Sequence, residues 1–500
     1  MALSLFDKIL YYVMVPIVAI GSILSPLTND VRIFYGVEYL CWKYIPDFPS
    51  NINAFWEIKP IMNHIINYFL VVVTNFFIPF HDHFAQEIFI KAIAVGIAIV
   101  ACWLFSRNVL RIKYGFLISF FGSMCVLNVN SLQAEWWSLF LVMVAAALLV
   151  EENKLWHYLS GVLLMLAFLT KGTTISLVVS GICALIVLNY KVDWMRATAG
   201  FVVAGGMFLL SNFTIFPTLI SDIILAPQLS HVFEYSMTGQ AIAVVVATII
   251  AVSIYLPCAG VGGTYGLVWL KNHLKDPRAY AFLSMWGITF VVIWIQNETF
   301  AYQFYPLILP AIVSLVLFEK ETPRERPGKK FKRENIVAAS IVLLFGMYCI
   351  FYAPYISYYG SQEKTMNDFF WEQSNKINKE FDLPNQSSVV YIDTGSGPYY
   401  FSANSSCKYP APLIIQRANP NRSFILDLPQ NHEEFFCLMN TTSKFIVADG
   451  PIGPEDSWFG NDTYQKAAII QKLRNEYASV HSGGWEIYAK RNKSEMLNIT

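Results

Sequence analysis

The feature that most constrains this chain is its succession of long apolar runs with short polar connections. A helix that crosses a bilayer needs about 20 apolar residues. Runs of roughly that length recur near 9–27, 87–105, 115–131, 136–151, 156–170, 174–190, 196–212, 240–258, 280–296, 304–318 and 335–353. Hydrophobic residues make up 55% of the 500 positions and charged residues 14%, where a soluble globular domain carries about 25% charge. One soluble core cannot bury that much apolar surface, so lipid takes the remainder. The expected fold is an α-helical polytopic membrane protein of about eleven transmembrane helices, followed by a C-terminal α/β domain in water. The boundary is expected near 355, giving a membrane part over 1–355 and a soluble part over 356–500. The first run has no small-residue cleavage site and reads as a retained span. The glycine-rich stretch Gly260–Gly266 reads as a point where a helix can break.

Charge sets the expected orientation. The connections Ser106–Lys113, Asn189–Arg196, Lys271–Arg278 and Lys320–Arg333 are basic and fall on one side, which the positive-inside rule makes cytoplasmic. The apolar stretch Ile61–Phe80 is interrupted by Asn63, His64, Asn67 and Asn75 and reads as a helix in the interface. On that reading the N-terminus joins the basic side. If the stretch crosses, the N-terminus and the first loop change places. The glycosylation sequons at Asn212, Asn297, Asn385, Asn404, Asn421, Asn440, Asn461, Asn492 and Asn498 all fall on the expected outer side. The expected location is the plasma membrane, multi-pass, with the C-terminal domain extracytoplasmic.

In the tail, Ser388–Asp393 and Lys444–Asp449 read as buried strands, Tyr464–Tyr477 as an amphipathic helix and Ala478–Lys490 as a hairpin around Gly483–Gly484. Cys407 and Cys437 can pair if the tail faces an oxidising compartment. The other six cysteines show no metal spacing and read as small hydrophobes. Net charge is zero and gives no reason to expect nucleic acid.

The outer face carries four polar pieces, each with a plain structural reading beside a functional one. Asp30, Arg32 and Tyr35 follow the first span, and serve equally as the cap of an interfacial helix. Glu135 opens an apolar run, where a carboxylate also suits a helix dipole, with Trp136 and Trp137 as an interfacial belt. Lys171 sits in an outer turn against the positive-inside bias, as a phosphate-binding point charge or a snorkelling lysine. Gln296, Tyr302 and Tyr305 alternate with apolar residues at a membrane edge, as substrate contacts or an ordinary aromatic belt. Glu57 beside Lys59 adds a weaker candidate, and reads more simply as an ion pair at a helix entry. His81, Asp82, His83 and Glu87 have metal-like composition but the spacing of a solvated turn.

Taken in order, these elements resemble the GT-C membrane glycosyltransferases, in the branch of the protein O-mannosyltransferases and lipid A aminoarabinose transferases. The elements are Asp30-x-Arg32 with Tyr35, Glu135 at the start of the fourth span, Leu169-Thr170-Lys171-Gly172 between spans, and Gln296-x-x-x-Phe300-x-Tyr302-x-x-Tyr305-Pro306. The resemblance covers about residues 1–320. It implies inverting transfer from a polyprenyl- or dolichyl-phosphate sugar to an acceptor hydroxyl on a glycan, lipid or protein. It casts Asp30 as catalytic base, Glu135 as a second acid that orients acceptor or a divalent metal ion, and Lys171 as the phosphate ligand assisted by Arg32. Any metal would fall to Asp30 and Glu135. Val31 stands where the protein O-mannosyltransferases carry Glu, and Glu135-Trp136-Trp137-Ser138 does not supply the Trp-Trp-Asp-x-Gly signature of the oligosaccharyltransferases. A different class of function, a transporter or flippase of lipid-linked sugars, needs ionisable residues in mid-span or paired broken helices.

Overall fold

The computed structural model describes residues 4–24, 61–78, 83–124, 134–214, 257–296, 301–321, 333–385, 389–392, 400–401, 406–407, 429–448 and 464–491. Its contacts divide the chain into two compact units. The first includes Met1–Leu27, Lys59–Phe213 and Ser230–Gly360, and the second includes Ser361–Thr500.

Apolar runs become helices because a backbone in a low-dielectric setting must satisfy its own hydrogen bonds. In the first unit these are α1 (Leu5–Leu24), α2 (Ile61–Asn75), α3 (His83–Phe105), α4 (Gly115–Met124), α5 (Ala134–Leu149), α6 (Lys154–Thr170), α7 (Ile175–Val187) and α8 (Trp194–Thr214). Then follow α9 (Pro257–His273), α10 (Arg278–Gln296), α11 (Ile308–Glu321) and α12 (Arg333–Met347). Three helices among the described residues, Leu5–Leu24, Ile88–Leu110 and Trp194–Ser211, are long and apolar enough to cross a membrane. The last displays Val202, Val203, Met207 and Leu210 outward, each about 60% exposed or more. Such a face suits an apolar surrounding, lipid above all, rather than water.

α9 corrects the reading of Gly260–Gly266 as a break. A Cβ on Gly262 would stand 2.6 Å from the Ala311 backbone, and one on Gly266 2.8 Å from Ser314 Oγ. The glycines let α9 and α11 approach closely, as small residues do between membrane helices. Apart from Pro257 and Cys258, the run near 240–258 lies outside the described residues.

Polar ties collect one end of the first unit. Tyr114 Oη donates to Asp7 Oδ1 at 2.9 Å, and Lys113 Nζ pairs with the same oxygen at 3.1 Å. Asn108 Nδ2 donates to Ala147 O at 3.1 Å and Glu151 Oε1 at 2.6 Å, and Tyr190 Oη donates to Val109 O at 2.6 Å. Arg278 donates to Val187 O at 3.3 Å and pairs with Glu321 at 2.7 Å. The N-terminus of α1 thus shares an end with the basic connections. α2 has 15 residues, about 22 Å of helix against a hydrocarbon core of about 30 Å. Asn67, in its middle, accepts from Trp137 Nε1 at 3.0 Å at the start of α5, the opposite end.

In the second unit, β1 (Val389–Ile392) pairs in parallel with β2 (Phe445–Ala448), which pairs antiparallel with β4 (Trp485–Lys490) and through it with β3 (Tyr477–Gly483). The order is β1-β2-β4-β3. α13 (Ala353–Phe381) enters this unit, α14 (Pro429–Asn440) precedes β2, and α15 (Tyr464–Glu476) precedes β3. The paired strands β1 and β2 are buried along their whole length. The hairpin turns at Gly484, whose φ of +86° suits glycine and whose absent Cβ would stand 2.8 Å from Phe369. Cys407 and Cys437 form a disulfide.

Candidate active site

The site is built where α5 begins and α6 ends. The two helices run antiparallel, so the positive N-terminal end of one dipole lies beside the negative C-terminal end of the other. Glu135 occupies the first turn of α5, and Lys171 follows the last residue of α6. Each charge is therefore favoured by its own helix before it meets the other. Lys171 adopts an extended backbone (φ −167°, ψ 135°), which ends the helix and turns its side chain back. Lys171 Nζ reaches Glu135 Oε1 at 2.5 Å. The Glu135 side chain is 2% exposed and that of Lys171 29%. A carboxylate so buried is stable only with a cationic partner, whereas the half-open ammonium remains reachable from solvent.

Hydroxyls fix this corner. The last carbonyls of a helix lack helical partners. Ala167 O accepts from Ser138 Oγ, Thr170 Oγ1 and Thr174 Oγ1, each at 2.7 Å. Ser138 Oγ also meets Thr170 Oγ1 directly, tying α5 to α6 just below the ion pair. Thr174 Oγ1 also lies 2.5 Å from Lys171 O and shares its one proton between the two carbonyls, which holds the turn. These hydroxyl roles were not assigned from sequence. Serine and threonine beside a helix end are too common to signal one.

Tyr305 lies in the 3₁₀ turn Ala301–Leu307, which packs on α5. It is completely buried and within electrostatic reach of Glu135. Its Oη makes no hydrogen bond among the described residues. A buried hydroxyl left unsatisfied is costly and suits a site that receives a polar ligand. Trp136 and Trp137 are buried, 0% and 4% exposed, and stack edge to face at 4.8 Å. This corrects their reading as an interfacial belt: they wall the site.

Of the residues expected from sequence, the structure brings together Glu135, Lys171 and Tyr305. Gln296 ends α10 and Tyr302 lies in the turn before α11, with side chains outside the described residues. Asp30, Arg32, Tyr35 and Glu57 lie outside the described residues altogether. No cluster of three or more His, Cys, Asp or Glu side chains suited to a metal occurs among the described residues. Glu135, engaged with Lys171, makes no metal site by itself. The sequence reading also passed over Lys91, 1% exposed within α3. Its signal was a single cation inside an apolar run.

No family model matches the chain, and no curated protein matches it in sequence. Its architecture does match solved structures. The chain is similar to ArnT from Cupriavidus metallidurans bound to undecaprenyl phosphate, with a TM-score of 0.58 and 12% identity over 97% of this chain and 98% of that one. The apo state of the same protein gives 0.55 and 12% over 96% and 97%. The archaeal oligosaccharyltransferase AglB from Archaeoglobus fulgidus, in complex with an inhibitory peptide and a dolichol-phosphate, gives 0.45 and 14% over 98% and 75%. The likeness to ArnT is one of fold: the chain shares the architecture of that structure over nearly its whole length.

Proposed function

We propose that the protein is an inverting glycosyltransferase that moves a sugar from a polyprenyl- or dolichyl-phosphate carrier to an acceptor hydroxyl at the outer face of a multi-pass membrane bundle. The observation that carries this reading is the buried Glu135–Lys171 pair at the end of the bundle opposite the basic connections. The fold likeness to a structure that holds undecaprenyl phosphate supports a lipid phosphate as the ligand of that end.

The acceptor oxygen attacks the anomeric carbon as the bond from that carbon to the phosphate oxygen breaks. Asp30 takes the acceptor's proton, and the carrier phosphate departs with the bonding electrons. A general base raises the nucleophilicity of the hydroxyl. A preorganised cation stabilises the departing charge where water is scarce. Lys171 is that cation, with Arg32 assisting. Glu135 holds Lys171 in place in the resting state and orients the acceptor as the phosphate enters. Tyr305 offers its unused hydroxyl to sugar or phosphate, and Tyr35, Glu57, Gln296 and Tyr302 line the acceptor and donor paths. A divalent ion would require carboxylates such as Asp30 in addition to Glu135, and no step above is routed through one. The short α2 lies in the interface, so α1 delivers Asp30 to this side. The Cys407–Cys437 disulfide supports an oxidising, extracytoplasmic location for a soluble domain over 356–500, after a membrane part over 1–355.

The test is sugar transfer from polyprenyl-phosphate donors by the full chain in nanodiscs. Asp30→Asn and Glu135→Gln are each expected to lose at least about 100-fold in turnover. Full activity in both variants overturns the assignments.

A further inference from the structure

Asn440 ends α14 and is followed by Thr441 and Thr442, which completes an Asn-x-Thr acceptor for N-glycosylation. Such triplets also arise by chance, so exposure and anchoring decide whether one can be used. Asn440 and Thr442 are exposed, while Thr441 between them is buried. The alternation is fixed from beneath. Thr441 Oγ1 donates to Ser443 Oγ at 2.8 Å and accepts from Ser443 N at 3.2 Å, and Tyr477 Oη donates to Ser443 O at 3.0 Å. On the other side of Asn440, Lys472 Nζ donates to Met439 O at 2.9 Å. The segment Thr441–Ser443 is neither helix nor strand. Both residues that define the acceptor therefore stand on an anchored surface turn, where a bulky glycan disturbs no core.

Two further features of α14 point the same way. Cys437, on the same helix, is disulfide-bonded to Cys407. Disulfides persist in oxidising compartments, and N-glycans mark the surface loops of proteins that pass through them. Phe436, one turn before Asn440 on the same face, is 69% exposed. Asn440 Nδ2 donates to Phe436 O at 2.8 Å, so the amide lies against the turn that carries that ring. A sugar attached at Nδ2 starts beside an exposed aromatic ring, and its apolar C–H face can bury part of it. At Asn385, by contrast, Nδ2 donates to a carboxylate, Asp382 Oδ1, at 2.7 Å, and Ser387, the hydroxyl residue of that acceptor, lies outside the described residues.

We propose that Asn440 carries an N-linked glycan whose first sugar covers Phe436. The modification goes beyond the transfer reaction, and it rests on the extracytoplasmic placing of the soluble domain proposed above rather than on the Glu135–Lys171 site. The donor is an oligosaccharide on a polyprenyl or dolichyl phosphate, and the enzyme is the cell's own oligosaccharide transferase. The bond from the anomeric carbon to Nδ2 forms as the bond from that carbon to the phosphate oxygen breaks. The lipid phosphate leaves with the bonding electrons, and one of the two Nδ2 protons passes to a base of the transferring enzyme. The hydrogen that remains on Nδ2 can keep the bond to Phe436 O, so the end of α14 need not change.

The experiment is mass spectrometry of the α14 peptide from full-length protein purified from its own membranes, with the redox state of Cys407 and Cys437 measured in the same digest. Wild type is expected to carry the mass of a glycan on Asn440. Asn440→Gln and Thr442→Ala are expected to lose it and Thr442→Ser to keep it, since a hydroxyl at that position completes the acceptor. An unmodified Asn440 in a chain whose Cys407–Cys437 disulfide has formed overturns the modification and leaves the extracytoplasmic placing intact. An unmodified Asn440 with both cysteines reduced overturns the two together. Amide exchange tests the contact with Phe436. Enzymatic removal of the glycan is expected to speed exchange in the last turn of α14 by about 5-fold, and Phe436→Ala is expected to abolish most of that difference. Equal exchange before and after removal overturns the covering of Phe436.

Discussion

Two ion-pair sites at opposite ends of the same bundle are built on opposite principles. At the basic end, Arg278 donates from Nη1 and Nη2 to the two oxygens of Glu321, at 2.7 and 2.9 Å, and from Nε and Nη2 to Asp276 at 2.9 and 2.7 Å. Trp269 Nε1 adds a further donor to Glu321 at 3.1 Å. Every oxygen of Glu321 is used, and the guanidinium fork fixes three elements at once. At the other end, Glu135 and Lys171 share one bond. A planar fork with both carboxylates satisfied is a rivet. A point charge on a flexible stem, with a partly open ammonium, can exchange its partner. The difference teaches that the pair without a fixed fork is the one suited to chemistry.

The largest expected effect tests that asymmetry. Lys171→Met removes the cation from a developing phosphate charge and is expected to lower turnover by about 100- to 1,000-fold, as loss of one preorganised donor does elsewhere. Stranding Glu135, whose side chain is 2% exposed, is expected to cost about 3 kcal/mol of stability as well. A thermal unfolding scan beside a transfer assay separates the two. A large fall in melting temperature with activity per folded molecule preserved would make Lys171 a rivet as well and erase the contrast.

Arg278→Ala is the mirror experiment. It strands Glu321 and Asp276 against one another. Full burial would cost about 3–5 kcal/mol, and exposure of about a quarter of these side chains reduces the expectation to about 1–3 kcal/mol. Turnover per folded molecule is expected to hold. A smaller step sharpens the same point: Arg278→Lys keeps the charge and loses the fork, with an expected cost of about 1 kcal/mol in the same unfolding measurement.

Legibility from sequence followed the same divide. Lys171 stood out because its charge opposes the positive-inside bias, and the strands Val389–Ile392 and Phe445–Ala448 because short β-branched runs end in turns. Glu135 was visible as an acid opening a run, but its burial depends on α6 and on Trp136, which are distant or ambiguous in one dimension. Lys91 was hidden because one cation does not interrupt an apolar window. α9 was missed because its glycines and Lys271 dilute hydropathy, although those glycines are what let it pack on α11. α14 and the long α13 were missed for another reason: polar helices in a tail give no periodic signal strong enough to separate them from loop.

The smallest expected effect is in pH. Asp276 lies in the connection between α9 and α10, and its hydrogen bonds from Arg278 hold its carboxyl below the usual value of 3.8. A carboxyl with a lowered folded-state value contributes stability that is complete above its ordinary value. That contribution is lost as pH falls through the lowered one. Wild type and Arg278→Ala should therefore differ most in melting temperature at neutral pH, and the gap should narrow in strong acid as Asp276 takes up its proton. A gap between wild type and Arg278→Ala that stays constant down through the acid range would show that the fork acts by packing on Trp269, over whose ring Arg278 lies at 5.9 Å, and not by charge. The rivet would then be aromatic rather than ionic, and the contrast between the two ends would rest on shape alone.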